Sequence, residues 1–443
     1  MEIQLSDHFD YRKLLRFTLP SIAMVTFIST YTIIDGWFVS NFVGKVPFAA
    51  LNLIYPCLII LGALGYMGGT GGAAIVAKTL GEGQKKLANE YFSLIVYASL
   101  VLGVVASTLV WLAIPSIARF MGAQGEMYTN CLIYGRILAF SAPMVIMQNV
   151  FQSLFVAAER PKLGLASTIV AGCANILLDA LFILGFGWGL AGAAWATAIS
   201  QILGGVFPLI YFSRPNGSLL RLGKAQLSWS VLVQTCYNGS SEMMSGISGS
   251  VMVTLYNYQL MRLAGENGVA AYGVIGYVIF LFGAVFFGYT VGSAPLISYN
   301  FGAKNIPELQ NLFRKSTILM SGTGLTLFLF VATCAQWIAQ LFVGYDAELW
   351  RMATHALRVY SLLFILSGFD IFASSLFTAL NNGLVSAVIS FLRTLVFQSG
   401  SIIILPLILG IEGIWYSVVV AESIAFITTM IFLVRYRKVY QYY

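Results

Sequence analysis

The sequence predicts an all-α integral membrane protein with twelve transmembrane helices in two six-helix lobes, related by a pseudo-two-fold axis along the membrane normal. Three observations predict it. Apolar stretches long enough to cross a bilayer follow one another along the chain; only 9% of its 443 residues are charged while 59% are hydrophobic; and landmarks of the first half recur in the second. Soluble domains carry roughly 25% charged residues. With a mean hydropathy of +0.85, this chain is read as polytopic rather than soluble.

The spans are expected near 16–40, 49–77, 91–117, 131–157, 163–186, 190–212, 229–261, 268–300, 316–343, 354–380, 384–409 and 413–434. Met1 to Lys13 are polar, and the apolar run after them is too long for the core of a cleavable leader, so no signal peptide is expected. Span one contains Pro20, whose missing N–H should bend the helix or free a carbonyl. Span two is crowded by Gly62, Gly65, Gly68, Gly69, Gly71 and Gly72, and span eight by Gly283, Gly288 and Gly292. Close helix packing is the plainer reading of such small residues, a hinge or cavity wall the alternative.

Slid by about 222 residues, Gly65-Tyr66 falls over Gly288-Tyr289, Leu154-Phe155 over Leu376-Phe377, and Gly189-Leu190-Ala191-Gly192 over Gly410-Ile411-Glu412-Gly413. The chain is accordingly divided into an N-terminal lobe (1–212), a polar linker (213–228) and a C-terminal lobe (229–443). Six is even, so both lobes start on the same side of the membrane, as in parallel-repeat transporters. Two such bundles leave a central cleft that rocking can expose to either side, which favours a carrier over a channel.

The net charge of +7 is a topology signal. With these spans, 17 of the 24 Lys and Arg residues fall on one side, among them Arg12, Lys85, Arg160, Arg221, Lys304 and Arg437. That side is expected to be cytoplasmic, with both termini, and no nucleic-acid partner is expected. The five cysteines (Cys57, Cys131, Cys173, Cys236 and Cys334) are scattered and read as small apolar packers. No nucleotide-binding loop is present, and His8 and His355 lie near span ends, so neither ATP use nor a histidine relay within the bilayer is expected.

A carboxylate inside hydrocarbon costs ~2.5–3.5 kcal/mol on insertion scales, so such residues line cavities and carry function. Asp35, Asp179, Glu242 and Asp370 are the acids in question. Tyr31 lies one turn before Asp35. Asn175 and Asp179, spaced i and i+4, share a face of span five, and Thr197 in span six has a similar depth. Two carboxylates, an amide and a hydroxyl suit a proton or a hard cation such as sodium; a hydrogen-bonded structural network is the alternative. Glu242 and Asp370 fall near mid-membrane, and Asn257 takes the place matching Asp35. They could neutralise a cationic substrate or form a second ion site. Tyr134, Met144, Met147, Phe280 and Tyr289 could offer it aromatic and thioether contacts; each could equally be a packing residue. Glu422 is a weaker candidate, with Arg393 and Arg136 as partners of such acids.

Taken together these residues resemble the multidrug and toxic compound extrusion (MATE) family over the whole chain. Tyr31-Thr32-Ile33-Ile34-Asp35 resembles its first-helix acid, Asn175-Ile176-Leu177-Leu178-Asp179 with Gly192-Ala193-Ala194-Trp195-Ala196-Thr197 its fifth- and sixth-helix signature, and Gly302-Ala303-Lys304-Asn305 the turn after its eighth helix. Glu242 and Asp370 resemble the C-lobe acids of its sodium-driven branch. The resemblance implies a secondary antiporter, not an enzyme, that exports hydrophobic and often cationic compounds against inward protons or sodium by alternating access. Asp35, Asn175, Asp179 and Thr197 would be the cation site, and Pro20 would let helix one bend. It implies no cofactor, a monomer, and the inner membrane of a bacterium or archaeon. A lipid-linked oligosaccharide flippase of the same superfamily is the rival, although those carry extra helices and a basic cavity. An intramembrane aspartyl protease is disfavoured because Asp370 follows Ser367-Gly368-Phe369, not Gly-x-Gly.

Overall fold

The structure, a computed structural model, describes residues 3–443. Six helices form the first half: α1 (Tyr11–Phe38), α2 (Lys45–Gly81), α3 (Lys85–Phe120), α4 (Gly125–Ala157), α5 (Pro161–Asp179) and α6 (Gly189–Ser213). Two of them run on as π-helix, α1 over Val39–Val43 and α5 over Ala180–Gly185. The second half holds α7 (Trp229–Gly302), α8 (Ile306–Val343), α9 (Ala347–Ser361), α10 (Leu363–Ala379), α11 (Gly383–Phe391), α12 (Gln398–Leu409) and α13 (Ile411–Tyr440), with a π-helical stretch, Leu392–Phe397, joining α11 to α12.

These elements make twelve spans. Helix α7, with 74 residues, is two of them: Gly265 (φ 61°, ψ −150°) turns the chain back between its arms, 229–264 and 266–302. The tenth span, expected as one helix over 354–380, is broken instead: α9 and α10 meet at a 44° bend at Leu362. Outer faces of α3 and α8 present Leu109, Leu112, Leu329 and Trp337, all more than half exposed, as a hydrocarbon-facing surface requires.

Backbone geometry repeats between the halves. Among the described residues, eight of the twelve with positive φ fall in pairs 221 or 222 positions apart: Gly44 with Gly265, Gly83 with Lys304, Glu159 with Asn381, and Gly189 with Gly410. Each pair ends or begins corresponding spans, so the same turns recur even where the side chain differs. Residues 214–228, which link α6 to α7, lie down along α3: the Arg221 N–H donates to Asn89 Oδ1 (2.7 Å), the Gly223 N–H to Ser93 Oγ (3.0 Å), and Leu220 is fully buried.

Glycine joins the two halves. Helix α2 lies against both arms of α7. A Cβ at Gly71 would collide with the Thr235 carbonyl, one at Gly239 with that of Met67, one at Gly81 with that of Tyr299, and one at Gly302 with that of Lys78. Gly81 and Gly302, 221 residues apart, are two-fold mates that meet across the axis at the end of the bundle carrying the termini. The expectation of close packing therefore holds for most of these glycines: Gly65 and Gly69 seat α2 on α4, while Gly283 faces open space. Pro20 is buried within α1, which continues through it.

A side chain at the seam meets backbone that cannot swing away. We expect Gly81→Leu and Gly239→Leu to destabilise the purified protein by at least the ~1–3 kcal/mol of an overpacked core, read as a lowered midpoint of thermal unfolding. Gly283→Leu should unfold like the parent. Equal midpoints for all three would contradict the seam.

Candidate functional site

Helices α1 and α5 pack together, and α5 packs on α6. Gly172 sets the first contact: a Cβ there would run into the Phe27 and Tyr31 rings, so its absence lets α1 close on α5 one turn below Asn175. Asp35 and Asp179 stand on the facing surfaces near the helix ends. Asp35 faces both Asp179 and Thr197, and Asn175 Nδ2 donates to Thr197 Oγ1 at 3.4 Å. Asp179 and Asn175 are essentially inaccessible, at 0% and 1%. Asp35 Oδ1, Asn175 Oδ1 and both Asp179 oxygens are buried without a hydrogen-bond donor. Buried acceptors are normally satisfied. An oxygen-rich corner left this way holds a proton or a hard cation far more readily than an apolar group.

The corner opens on a chamber of about 310 Å³. Tyr31, Asp35, Asn175, Thr197 and Tyr134 line it from the first half, and Glu242 and Phe280 from the two arms of α7. Asp179 lies behind Asp35 and does not reach the wall. Among the described residues no Lys, Arg or His lines the chamber, so its field is negative. Tyr55, Tyr66, Gln148, Asn149 and Gln201 also line it. They were not singled out from the sequence, although amides within apolar spans are a usable signal. Asn149 Nδ2 donates to the Gly62 carbonyl (3.0 Å) and Gln152 Nε2 to Asn149 Oδ1 (3.0 Å), which orients this amide row.

Other candidates lie elsewhere. Met147 and Tyr289 are sealed in hydrophobic cores, Tyr289 donating to Ser316 Oγ at 2.8 Å. The structure thus separates both from the chamber, because apolar packing claims them first. Asn257 is half-buried on the first arm of α7, outside the chamber. Asp370, fully buried on α10, is also set apart: it stands beside Arg393 and Glu422, not with Glu242. Arg393 Nε donates to both Glu422 oxygens at 3.0 Å. Among the described residues Arg136 forms no ion pair with an acid; it lies 4.8 Å from the centroid of the Trp111 ring.

π-helical turns mark the same places. One begins four residues after Asp35, another directly after Asp179, and the third contains Arg393. Such turns gather at functional sites because they shift side chains out of α-helical register.

Fold and chamber together define a polytopic helical membrane protein whose two lobes enclose an acidic cavity that, among the described residues, no basic side chain lines. The profile of the MatE family matches residues 20–181 and 243–400, and the chain belongs to that family. Among curated relatives, the "Multidrug export protein MepA" of Staphylococcus saprophyticus is 24% identical over 428 residues, covering 95% of this chain and 93% of the relative. The protein of that name from Staphylococcus aureus is 23% identical over 422 residues, 95% of this chain and 93% of its own. A solved outward-facing conformation of a "multidrug resistance MATE family transporter of the MOP superfamily" superposes with a TM-score of 0.91 at 24% identity, covering 97% and 96% of the two chains. That likeness speaks to the fold.

Breaking a buried ion pair from one side strands a charge, at ~3–5 kcal/mol. Arg393→Met should therefore lower the thermal midpoint strongly, and Arg393→Met with Glu422→Leu should recover most of the loss. A single mutant as stable as the parent would remove the pair from the structural account.

Proposed function

We propose that the protein is a secondary antiporter that exports hydrophobic, often cationic compounds in exchange for inward protons or sodium. One observation carries the reading: Asp35, Asp179 and Asn175 bring buried, donor-free oxygens to one edge of a chamber that, among the described residues, no basic side chain enters. Such a corner suits a small cation, while the chamber wall of Tyr31, Tyr55, Tyr66, Tyr134 and Phe280 offers ring faces to a flat organic cation. Asp35 belongs to both, so ion and cargo compete for one charge. Family membership and the multidrug-export names of the relatives support the cargo class. In this reading the terminal face, carrying most of the basic residues, is cytoplasmic, the protein lies in the plasma membrane of a prokaryote, and the chamber opens alternately to either side. The acidic wall also disfavours a pyrophosphate-linked glycan as cargo.

Asp35→Asn and Asp179→Asn should each abolish gradient-driven ethidium efflux from vesicles while the protein still inserts; normal efflux in both would remove this assignment. In the parent, collapsing the proton and sodium gradients one at a time identifies the coupling ion.

Glu242 lines the chamber and Asp370 does not. Glu242→Gln should therefore weaken export of cationic compounds more than of neutral ones, whereas Asp370→Asn should affect both alike. Equal losses for Glu242→Gln would assign it a purely structural or ion-binding role.

A further inference from the structure

We infer that residues 3–10 are a strap that holds the terminal face of the molecule shut by plugging into a socket on the second lobe built around Glu308. The inference rests on the alternating-access reading above. The segment is folded rather than trailing: the Gln4 N–H donates to Asp7 Oδ2 (2.9 Å), Asp7 accepts the Lys13 ammonium at 2.8 Å, and Asp10 caps α1 by accepting the Lys13 N–H. Partial burial would raise the Asp7 carboxyl, but Lys13 and the Gln4 N–H hold it below its ordinary value. Leu5 and Phe9 are fully buried.

The socket spends its polar groups on the strap. Glu308, in the first turn of α8, is 7% exposed as a side chain. An acid at this position ordinarily reaches back to the N–H of its own cap residue. Here Oε1 accepts the Phe9 N–H (3.0 Å) and Asn311 Nδ2 (2.8 Å), while Oε2 meets His8 Nδ1 at 2.5 Å. The Phe9 carbonyl accepts from Asn311 Nδ2 (2.9 Å) and Lys315 Nζ (2.6 Å). At the other end the Leu5 N–H donates to Glu159 Oε1 (2.6 Å), in the turn between α4 and α5 of the first lobe. The strap thus continues into the first lobe through α1 and touches its α4–α5 turn, while its middle is gripped by the second.

It lies beside the place where Gly81 and Gly302 bring the lobes together: Asn300 Nδ2, two residues before Gly302, donates to the Leu5 carbonyl (3.5 Å). If that face parts, the strap must leave one side. Leaving the socket strands the buried Glu308 carboxylate, the half-buried Lys315 ammonium and the Phe9 ring, so the grip resists opening.

The test is hydrogen–deuterium exchange on the purified full chain without cargo or ion gradient, comparing the parent with Glu308→Gln and, should that variant fold poorly, Phe9→Ala. Exchange at the seam ends, 72–84 and 296–305, should rise on the order of tenfold, the shift expected for losing one charge-assisted hydrogen bond, with the rest of both lobes unchanged. Phe9→Leu, which keeps an apolar plug, should stay near the parent. Unchanged exchange at both seam ends would overturn the strap, and so would a uniform rise through both lobes, which would make it an ordinary part of the fold. Because no transport is measured, a parent that fails to export ethidium would sink the antiporter reading and leave this result standing.

Discussion

Hydrocarbon supplies no partner to an anion, and the arrangement of this molecule follows from how its two halves answer that constraint. Around Asp370 the answer is partly internal. Arg393 stands beside it, 15% exposed as a side chain, and holds Glu422 through both oxygens; one cation there meets two acids, and both Asp370 oxygens stay buried without a donor. Around Asp35 and Asp179 no basic group arrives among the described residues, and four oxygens stay without donors. Whatever balances them must come from outside, as a proton, a metal cation or an organic one. Both corners keep donor-free carboxylate oxygens; Arg393 offsets part of the charge at Asp370, while the Asp35 corner opens on the chamber.

The repeat makes this division instructive. Turn positions recur at 221 or 222 residues, so both halves inherit one backbone. Asn257 stands where Asp35 would be, and Arg393 has no basic counterpart in α5. Duplication preserved the scaffold while the chemistry of its two copies diverged.

Spans, halves and the convergence of Asp35, Asn175, Asp179 and Thr197 were legible in the sequence because hydropathy, helical spacing and the price of a buried acid are local or depth-dependent quantities. Lateral placement was not. Asp370 and Glu242 share a depth, yet one sits in a sealed cluster and the other on the chamber wall, since depth alone does not say which neighbour a helix face meets. Met147 and Tyr289 failed as chamber residues for the same reason. The 44° break at Leu362 left no Gly or Pro to announce it. Glu308 passed unnoticed because an acid in a first helical turn looks like an ordinary response to the dipole; only the distant Phe9 backbone reveals its use.

The glycine contacts carry a mechanical implication. Where Gly71, Gly81, Gly239 and Gly302 touch the opposite lobe, backbone lies on backbone. Surfaces of that sort can separate and rejoin without freezing long rotamers each time, since glycine has no side-chain freedom to lose. They also demand strict registry, because a sliding displacement of one residue drives a Cβ into a carbonyl. Such a joint is cheap to reopen, intolerant of shear, and returns to the same alignment on every cycle.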